Sequence, residues 1–317
     1  MIVSRQDLSF ISADTRCEAW FFPGPEHSDF DGHAGRPAVV MAHGFAGTKD
    51  SGLESFAARL ADAGLAVLAF DYRGFGTSDG SPRQKISMSG QVADYHAAID
   101  AARDLPGVDP QRIVLWGLSQ SGGHVLIAAA DRSDVAAVVS MVPLVSGLSA
   151  GRHNYAIAGP AAMLRSTAVG IGSALGVRIG RPPSMIPVVG RPGEHAALTA
   201  SGYYESYTAL AGPSWVNEVD ASVGLELGSY RADKAAARVT VPVLMQIADF
   251  DRGAPPHAAA KAGFAARAEV RHYPCDHFDL FEGADFFEPA VAHQIRFLRR
   301  HLGRVVPSVG SGTTVAG

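Results

Sequence analysis

Residues 116–123 read Trp-Gly-Leu-Ser-Gln-Ser-Gly-Gly and join a buried, strand-like run to an alanine-rich helical pattern. A strand-to-helix turn this sharp crowds the positions two residues before and after its apex, so only small residues fit there. Gly117 and Ser121 are small, although glycine is the commoner residue at the second position, and Ser119 lies at the apex. The sequence therefore predicts a turn that exposes the Ser119 hydroxyl beside the free N–H groups of a helix N-terminus. Ser121 is a competing hydroxyl, but its spacing from Gly117 puts it past the apex.

The chain on both sides of this turn alternates between strand-like and helix-like patterns. Strand-like runs occupy residues 38–42, 65–70, 113–116, 135–142 and 241–247, and helical spacing occupies residues 53–64, 88–104 and 286–302. Alternation of this kind predicts an α/β fold with a mostly parallel central sheet flanked by helices. Before the sheet, residues 8–22 are expected to form a hairpin around Ala13 and Asp14.

The alternation stops at residue 146 and resumes only at the strand-like run 241–247. Residues 146–236 contain many Gly and Pro, alanine-rich helical patches and no clear strand. A connection of about 90 residues is too long for a simple loop. We expect a mainly helical lid, inserted between two late strands of a core formed by residues 1–145 and 237–303. Residues 304–317 are expected to be a flexible tail.

Charge is distributed unevenly within residues 146–236, which we call the insert. No Asp or Glu occurs between Asp134 and Glu194, whereas that stretch carries Arg152, Arg165, Arg178, Arg181 and Arg191. The remainder of the insert is acidic. One interpretation is that the two halves pair with each other; the other is a basic lip for an anionic substrate, such as an acyl group on a phosphate-bearing carrier.

The overall composition excludes several classes of protein. The 317 residues are 47% hydrophobic and 18% charged, and a net charge of −4 offers no basic excess, so we expect no nucleic-acid partner. Two cysteines cannot form a disulfide framework and favour a reducing compartment. No stretch has 18 uninterrupted apolar residues, and the N-terminus has Arg5 and Asp7 where a signal peptide needs an apolar core. We expect a cytoplasmic protein with no membrane partner.

A serine hydroxyl needs a base to activate it, and the base needs an acid to orient it. Asp249 and Asp251 follow the strand-like run 241–247, and His277 lies between a turn and the final helix. The chain order Ser119, Asp251, His277 is that of a known triad topology. Asp251 is our preferred acid, and Asp249 remains its rival.

Residues 43–47, His-Gly-Phe-Ala-Gly, directly follow the first strand of the predicted sheet. A glycine-rich turn at this place can present the backbone N–H of Phe45 to an oxyanion, opposite the N–H of Gln120. We expect His43 to brace this loop rather than to act as a base.

Together these segments resemble the α/β-hydrolase superfamily from about residue 36 to residue 302. The matching segments are HGFAG at 43–47, DYRGFGTSDG at 71–80, GLSQSGG at 117–123, DFDRGAPP at 249–256 and YPCDHFD at 273–279. The Ser-Gly-Gly ending of the turn and the block around His277 are similar to bacterial X-Pro dipeptidyl-peptidase-like esterases and fungal polyketide transferases, where glycine is typical at the position of Cys275. The resemblance implies Ser119 as nucleophile, His277 as base and Asp251 as acid. It also implies the N–H groups of Phe45 and Gln120 as oxyanion donors.

Other signals do not indicate a cofactor or a metal. Residues 74–76, Gly-Phe-Gly, follow a strand, but the next glycine has the wrong spacing for a dinucleotide fingerprint, and no Gly-Lys pair exists for a phosphate-binding loop. No His-Glu-x-x-His or paired Cys-x-x-Cys occurs, so we expect neither cofactor nor metal. Cys275 is expected to be a small packed residue rather than a thiol nucleophile.

Four aromatic residues of the insert form a cluster in the sequence: Tyr203, Tyr204, Tyr207 and Trp215. They are candidates to line an acyl pocket, and the alternative is that they pack the insert onto the body.

From these observations we expect a serine hydrolase that cleaves an ester or thioester of a small-to-medium hydrophobic acyl group through an acyl-enzyme. The alternatives are an acyltransferase or a carbon–carbon bond hydrolase using the same triad. The non-enzyme alternative is a binding protein with a vestigial triad.

Overall fold

The structure is a computed structural model that describes residues 5–303, apart from the side chains of residues 157 and 158. The predicted tail, residues 304–317, lies outside the described residues. Within the described part, no helix is both long enough and apolar enough to cross a membrane.

Ten strands are present in residues 5–303. They are β1 (Gln6–Ser12), β2 (Thr15–Phe22), β3 (Arg36–Ala42), β4 (Ala66–Phe70), β5 (Val108–Leu118), β6 (Val135–Met141), β7 (Met185–Ile186), β8 (Val219–Asp220), β9 (Val243–Ala248) and β10 (Glu269–Tyr273). Eight of them form one sheet of order β1-β2-β4-β3-β5-β6-β9-β10, and β7 and β8 form a separate antiparallel pair. The hairpin β1–β2 pairs antiparallel with β4, and every pairing from β4 to β10 is parallel. The predicted α/β fold and hairpin are confirmed.

The helices of residues 5–303 cover both faces of this sheet. They are α1 (Leu53–Asp62), α2 (Met88–Arg103), α3 (Gln120–Ala130), α4 (Gly147–Arg178), α5 (Tyr203–Leu210), α6 (Val223–Gly228), α7 (Ala232–Ala236), α8 (Pro256–Ala265) and α9 (Phe287–Leu302), with a 3₁₀ turn at His277–Leu280. One core contains residues of α2, α3, α7 and α8, and the other contains residues of α1 and α9. Strands β3, β4 and β9 are buried along their whole length because helices cover both faces.

The insert leaves the sheet after β6 and returns to it at β9, and it is mainly helical. Its first helix, α4, has non-helical backbone angles at Gly159 and carries Pro160 directly after this break. Within the insert, Ser173 donates a hydrogen bond to Asp220 at 2.8 Å and so ties α4 to β8. The last helix, α7, packs in the same core as α2 and α3.

Two features of the fold differ from the patterns read along the chain. Strand β10 was not predicted, because its residues Glu-Val-Arg-His-Tyr show no apolar run; it lies at the edge of the sheet and is only partly buried. The short strands β7 and β8 were also missed, because two-residue strands leave no periodicity to read.

The loop at residues 71–80 is anchored by a buried ion pair between its Asp71 and Lys49, which precedes α1. Lys49 Nζ lies 2.6 Å from Asp71 Oδ2, and both side chains are buried. The Asp71 carboxylate also accepts the N–H groups of Lys49 and Thr77, at 2.6 and 3.0 Å. These bonds satisfy both carboxylate oxygens from within the protein, which gives the loop a structural role.

Candidate active site

The turn between β5 and α3 has the strained geometry that its sequence predicts. Ser119 has φ 56° and ψ −120°, and the positive φ is uncommon for a residue with a side chain. A Cβ at Gly117 would collide with the backbone of Ser121, so glycine is required at that position. The Ser121 hydroxyl is buried, accepts from the N–H of Leu118 and donates to the carbonyl of Ala42, each at 2.8 Å. Ser121 therefore braces the turn, and Ser119 is the hydroxyl at its apex.

The two acid candidates after β9 have different partners. Asp251 is 4% exposed, and its Oδ2 lies 2.7 Å from Nδ1 of His277. Its other oxygen accepts the N–H groups of Gly253 and Ala254, at 2.7 and 2.6 Å. Asp249 is exposed and faces His272 Nδ1 at 2.6 Å. The geometry pairs Asp251, and not Asp249, with His277.

The surroundings of His277 shift its basicity upward. Burial lowers the pKa of His277, but the charge and hydrogen bond of Asp251, together with the charge of Asp276, outweigh burial and raise the pKa above its usual value of 6.5. Because Nδ1 faces a carboxylate, the proton of neutral His277 belongs on Nδ1, which leaves Nε2 as the basic nitrogen.

Ser119, Asp251 and His277 follow the carboxyl ends of β5, β9 and β10. These strands are parallel members of one sheet, so all three residues lie at the same edge. Among the described residues, no hydrogen bond joins the Ser119 hydroxyl to His277 or to any other group. The structure thus pairs Asp251 directly with His277. In a serine-dependent site, a hydrogen bond between the serine and the histidine often forms only when substrate binds.

The loop at residues 43–47 lies directly against the turn that carries Ser119. A Cβ at Gly44 would stand 2.8 Å from the Cβ of Ser119, so the close approach of loop and serine depends on glycine. In the described part of the chain, no backbone hydrogen bond uses the N–H of Phe45 or that of Gln120, the first residue of α3. Both donors are therefore available beside Ser119.

His43 braces this loop, as predicted. Its Nε2 donates to the carbonyl of Ser51 at 2.8 Å, and burial lowers its pKa to about 4. A buried histidine with this partner stays neutral at physiological pH and is already engaged in holding the loop.

Three of the four predicted aromatic residues attach the insert to two loops of the body, the one that precedes His277 and the one at residues 43–47. The Tyr203 hydroxyl donates to Asp276 at 3.0 Å, and its ring centroid lies 6.3 Å from that of His277. The Tyr207 hydroxyl donates to the carbonyl of Phe45 at 2.7 Å, and Trp215 Nε1 donates to the carbonyl of Ala46 at 3.1 Å.

Tyr204, the fourth aromatic residue, makes a different contact. The Arg191 guanidinium lies 4.2 Å from its ring centroid. Tyr204 therefore contacts the insert's own arginine, whereas the other three contact loops of the body.

Two groups beside the site were missed by the sequence reasoning. Asp276 accepts the backbone N–H and the side chain of Arg252, at 2.9 and 2.7 Å, in addition to Tyr203. The sequence signal that could have identified Asp276 is its position directly before His277.

The second missed group is a buried polar network at helix α3, which follows the Ser119 turn. His124 contacts Tyr230 of the insert at 2.9 Å through Nδ1, and Gln91 and Gln120 at 3.1 and 3.2 Å through Nε2. These residues come from distant parts of the sequence, and no local signal connects them.

The remaining predictions on metals, thiols and charge can be compared with the described residues. Among them, no group of three or more His, Cys, Asp or Glu side chains is placed to hold a metal ion. Burial raises the pKa of the Cys275 thiol to about 12, which keeps it protonated. Of the five arginines between residues 152 and 191, Arg191 pairs with Glu205 at 3.3 Å, and within residues 5–303 no carboxylate pairs with the other four. Pairing between the halves of the insert therefore accounts for one arginine of five.

Comparison with known proteins agrees with the fold. Residues 37–167 match the family model described as alpha/beta hydrolase fold. The chain is similar to the quorum-quenching protein AidA of Acinetobacter baumannii, with 36% identity over 93% of this chain and 94% of that protein. It is also similar to the polyketide transferase af380 of Aspergillus fumigatus, with 27% identity over 95% of this chain and 99% of that protein. The crystal structure of the α/β hydrolase GrgF from Penicillium superposes with a TM-score of 0.78, at 24% identity, over 94% of this chain and 99% of that one. The chain belongs to the α/β hydrolase fold family.

Proposed function

We propose that this protein is a serine hydrolase that cleaves an ester or thioester of a small-to-medium hydrophobic acyl group, with Ser119, His277 and Asp251 as its catalytic triad. The observation that carries the proposal is the buried Asp251–His277 pair at the sheet edge where the strained turn holds the half-buried Ser119. Membership of the α/β hydrolase family supports the same reaction class.

In the first half of the reaction, Ser119 Oγ attacks the carbonyl carbon of the substrate and its proton passes to Nε2 of His277. The carbonyl oxygen becomes an oxyanion, which the backbone N–H groups of Phe45 and Gln120 stabilise; one such donor is worth about 3–4 kcal/mol in comparable sites. The tetrahedral intermediate then expels the alcohol or thiol, which takes the proton from His277, and an acyl-enzyme remains.

In the second half, His277 Nε2 removes a proton from water, and the resulting nucleophile attacks the acyl carbon. Collapse of the second tetrahedral intermediate releases the carboxylic acid and returns the proton to Ser119. Asp251 stays ionised throughout, holds the Nδ1–H tautomer and stabilises the imidazolium that forms in each half. Its two N–H donors, from Gly253 and Ala254, fix the carboxylate for that task.

We further propose that the insert acts as a lid that positions both site loops. Tyr207 and Trp215 bind the carbonyls that follow the proposed oxyanion donor, and Tyr203 binds the residue before His277. The apolar composition of the insert is the reason for expecting a hydrophobic acyl group.

An acyltransferase is the second candidate, and the similarity to a polyketide transferase favours it. The same acyl-enzyme would transfer its acyl group to an alcohol or amine instead of water. The two activities differ in product, so the fraction of acyl groups transferred to an added nucleophile distinguishes them.

The proposal is tested by hydrolysis of nitrophenyl esters of increasing acyl length, with Ser119→Ala as the control. We expect turnover that peaks at one chain length and is abolished in the variant, together with fluorophosphonate labelling of the wild type alone. Labelling that persists in Ser119→Ala would assign the nucleophile to another residue. Labelling without ester turnover would favour the transferase, and loss of both would favour a binding protein with a vestigial triad.

A further inference from the structure

One surface of the insert is apolar and exposed, and the proposed reaction does not use it. It is formed by α4 and the three residues that follow it, and we call it the α4 surface. Large apolar side chains exposed on it include Tyr155, Met163, Leu164, Ile171, Leu175 and Ile179. Leu164 and Ile179 are 73% and 71% exposed. Large apolar side chains gathered on one exposed element usually mark a contact site for another molecule or a membrane.

The α4 surface also carries positive charge that the protein does not neutralise. Arg152, Arg165 and Arg178 lie on α4, Arg181 follows it, and all four are exposed. Within the described residues no carboxylate forms an ion pair with them, and residues 135–193 contain no Asp or Glu. The chain as a whole has a net charge of −4, so this positive patch is local.

The second part of α4 has an unusual environment. After the break at Gly159, residues 160–168 are exposed on every side of the helix. A surface helix normally buries one apolar face against its own protein. A protein partner that docks on one side of such a helix would cover only one of its faces. A helix exposed on every side is better stabilised by an environment that can contact all of its faces.

We propose that the α4 surface docks onto a lipid surface with anionic head groups. The apolar side chains around Leu164 enter the boundary between head groups and acyl chains, and the arginines lie at the level of the phosphates. The contact is peripheral and needs no spanning helix. This proposal differs from the expectation of no membrane partner, because that expectation rested only on the search for a membrane-spanning stretch and a signal peptide.

A second copy of this chain is a less favourable occupant of the same surface. A two-fold contact would bring two arginine-bearing faces together. Residues 135–193 offer no carboxylate to neutralise them. Anionic head groups supply the missing negative charge.

The α4 surface adjoins the candidate active site. His153 of α4 donates from Nε2 to the carbonyl of Arg252 at 3.2 Å, and Arg252 follows the proposed acid Asp251. If the proposed function holds, docking would place the site beside a lipid phase that concentrates hydrophobic acyl compounds. The docking itself does not depend on that function.

The test is flotation of the purified full-length protein with vesicles of phosphatidylcholine containing one quarter phosphatidylglycerol, and with vesicles of phosphatidylcholine alone. We expect binding to the anionic vesicles that weakens in high salt. Leu164→Asp should lower the partition coefficient strongly, and Arg165→Gln should lower it by about fivefold. The matched controls are Phe264→Asp on α8 and Arg296→Gln on α9, which change exposed side chains outside the α4 surface and should bind as the wild type does.

Equal binding to both kinds of vesicle, no binding, or equal loss in the control variants would overturn the proposal. A dimer in sedimentation analysis that Leu164→Asp dissociates, without any vesicle binding, would assign the surface to a second copy instead. Unchanged thermal melting of each variant shows that the fold is intact. Ser119→Ala should bind vesicles as the wild type does, so failure of the docking proposal is distinguishable from failure of the proposed function.

Discussion

At the level of single residues, the two carboxylates after β9 have different surroundings, from which we predict different effects on activity. Asp251 is buried against His277, whereas Asp249 is exposed against His272. We expect Asp251→Asn to lower kcat by roughly 10⁴-fold, since the corresponding change in a serine protease has that effect. Asp249→Asn should change kcat by less than a few-fold, because a solvated pair contributes little. Steady-state kinetics on the best nitrophenyl ester measures both, and the reverse ranking would move the acid to Asp249.

The pH dependence of serine reactivity follows from the pKa of His277. The base must be neutral, so the rate of fluorophosphonate labelling should rise with pH through the pKa of His277, which lies above 6.5. In Asp251→Asn the carboxylate that raises this pKa is gone and burial still lowers it, so the inflection should move to lower pH. Labelling rates of both proteins between pH 5 and 9 check the shift. An inflection that stays in place in the variant would contradict the assignment of His277.

The proposed catalytic residues could be read from the sequence because their signals are local. Gly117, Ser119 and Ser121 lie within five positions, and His277 lies between a turn and a helix. The bond from Tyr203 to Asp276 and the contact of Tyr230 with His124 could not be read, since they join positions 73 and 106 residues apart. Such contacts depend on how the insert docks, and no short pattern encodes that.

At the level of elements, two hydrogen bonds connect the insert to residues 43–47, which we call the oxyanion loop because Phe45 is a proposed oxyanion donor. Tyr207 of α5 donates to the carbonyl of Phe45, and Trp215 donates to that of Ala46. Tyr207→Phe removes one donor and leaves a carbonyl short of a partner, at a cost of about 1 kcal/mol in stability. Because the proposed oxyanion donor in this loop would stabilise charge only in the transition state, we expect kcat to fall several-fold with little change in KM.

Tyr204→Phe is the matched control for this prediction. Its hydroxyl makes no hydrogen bond to any described residue, and its ring contacts Arg191 of the insert. We therefore expect wild-type kinetics from this variant. Equal effects of the two changes would show that Tyr207 acts only through general packing.

The strands show where a run of apolar residues predicts a strand correctly and where a strand is formed without such a run. Buried central strands such as β3 and β4 are apolar throughout, and the sequence located both within two residues. The edge strand β10 has polar side chains because only part of it is covered. The spacing of apolar residues reports which positions are buried and not which backbone groups are hydrogen-bonded. An edge strand with solvated faces is therefore not detected by that spacing.

At the level of the whole molecule, the two parts of the insert differ in how they are attached. Residues 203–215 are tied to the body at Asp276, Phe45, Ala46 and Asp50. Residues 160–168, by contrast, are exposed on every side. Local opening is easiest where few contacts must be broken. Amide hydrogen exchange in residues 160–168 should therefore be faster than in residues 203–210, although both segments are helical.

Exchange followed by mass spectrometry checks this difference peptide by peptide, with the buried strand β3 as the slow reference. The same measurement connects to the docking proposal, since anionic vesicles should slow exchange in residues 160–168 and leave residues 203–210 unchanged. Equal exchange in the two helical segments without vesicles would mean that the insert opens as one unit. The oxyanion loop would then lose Tyr207 and Trp215 whenever the insert opens, and catalysis would require the closed state.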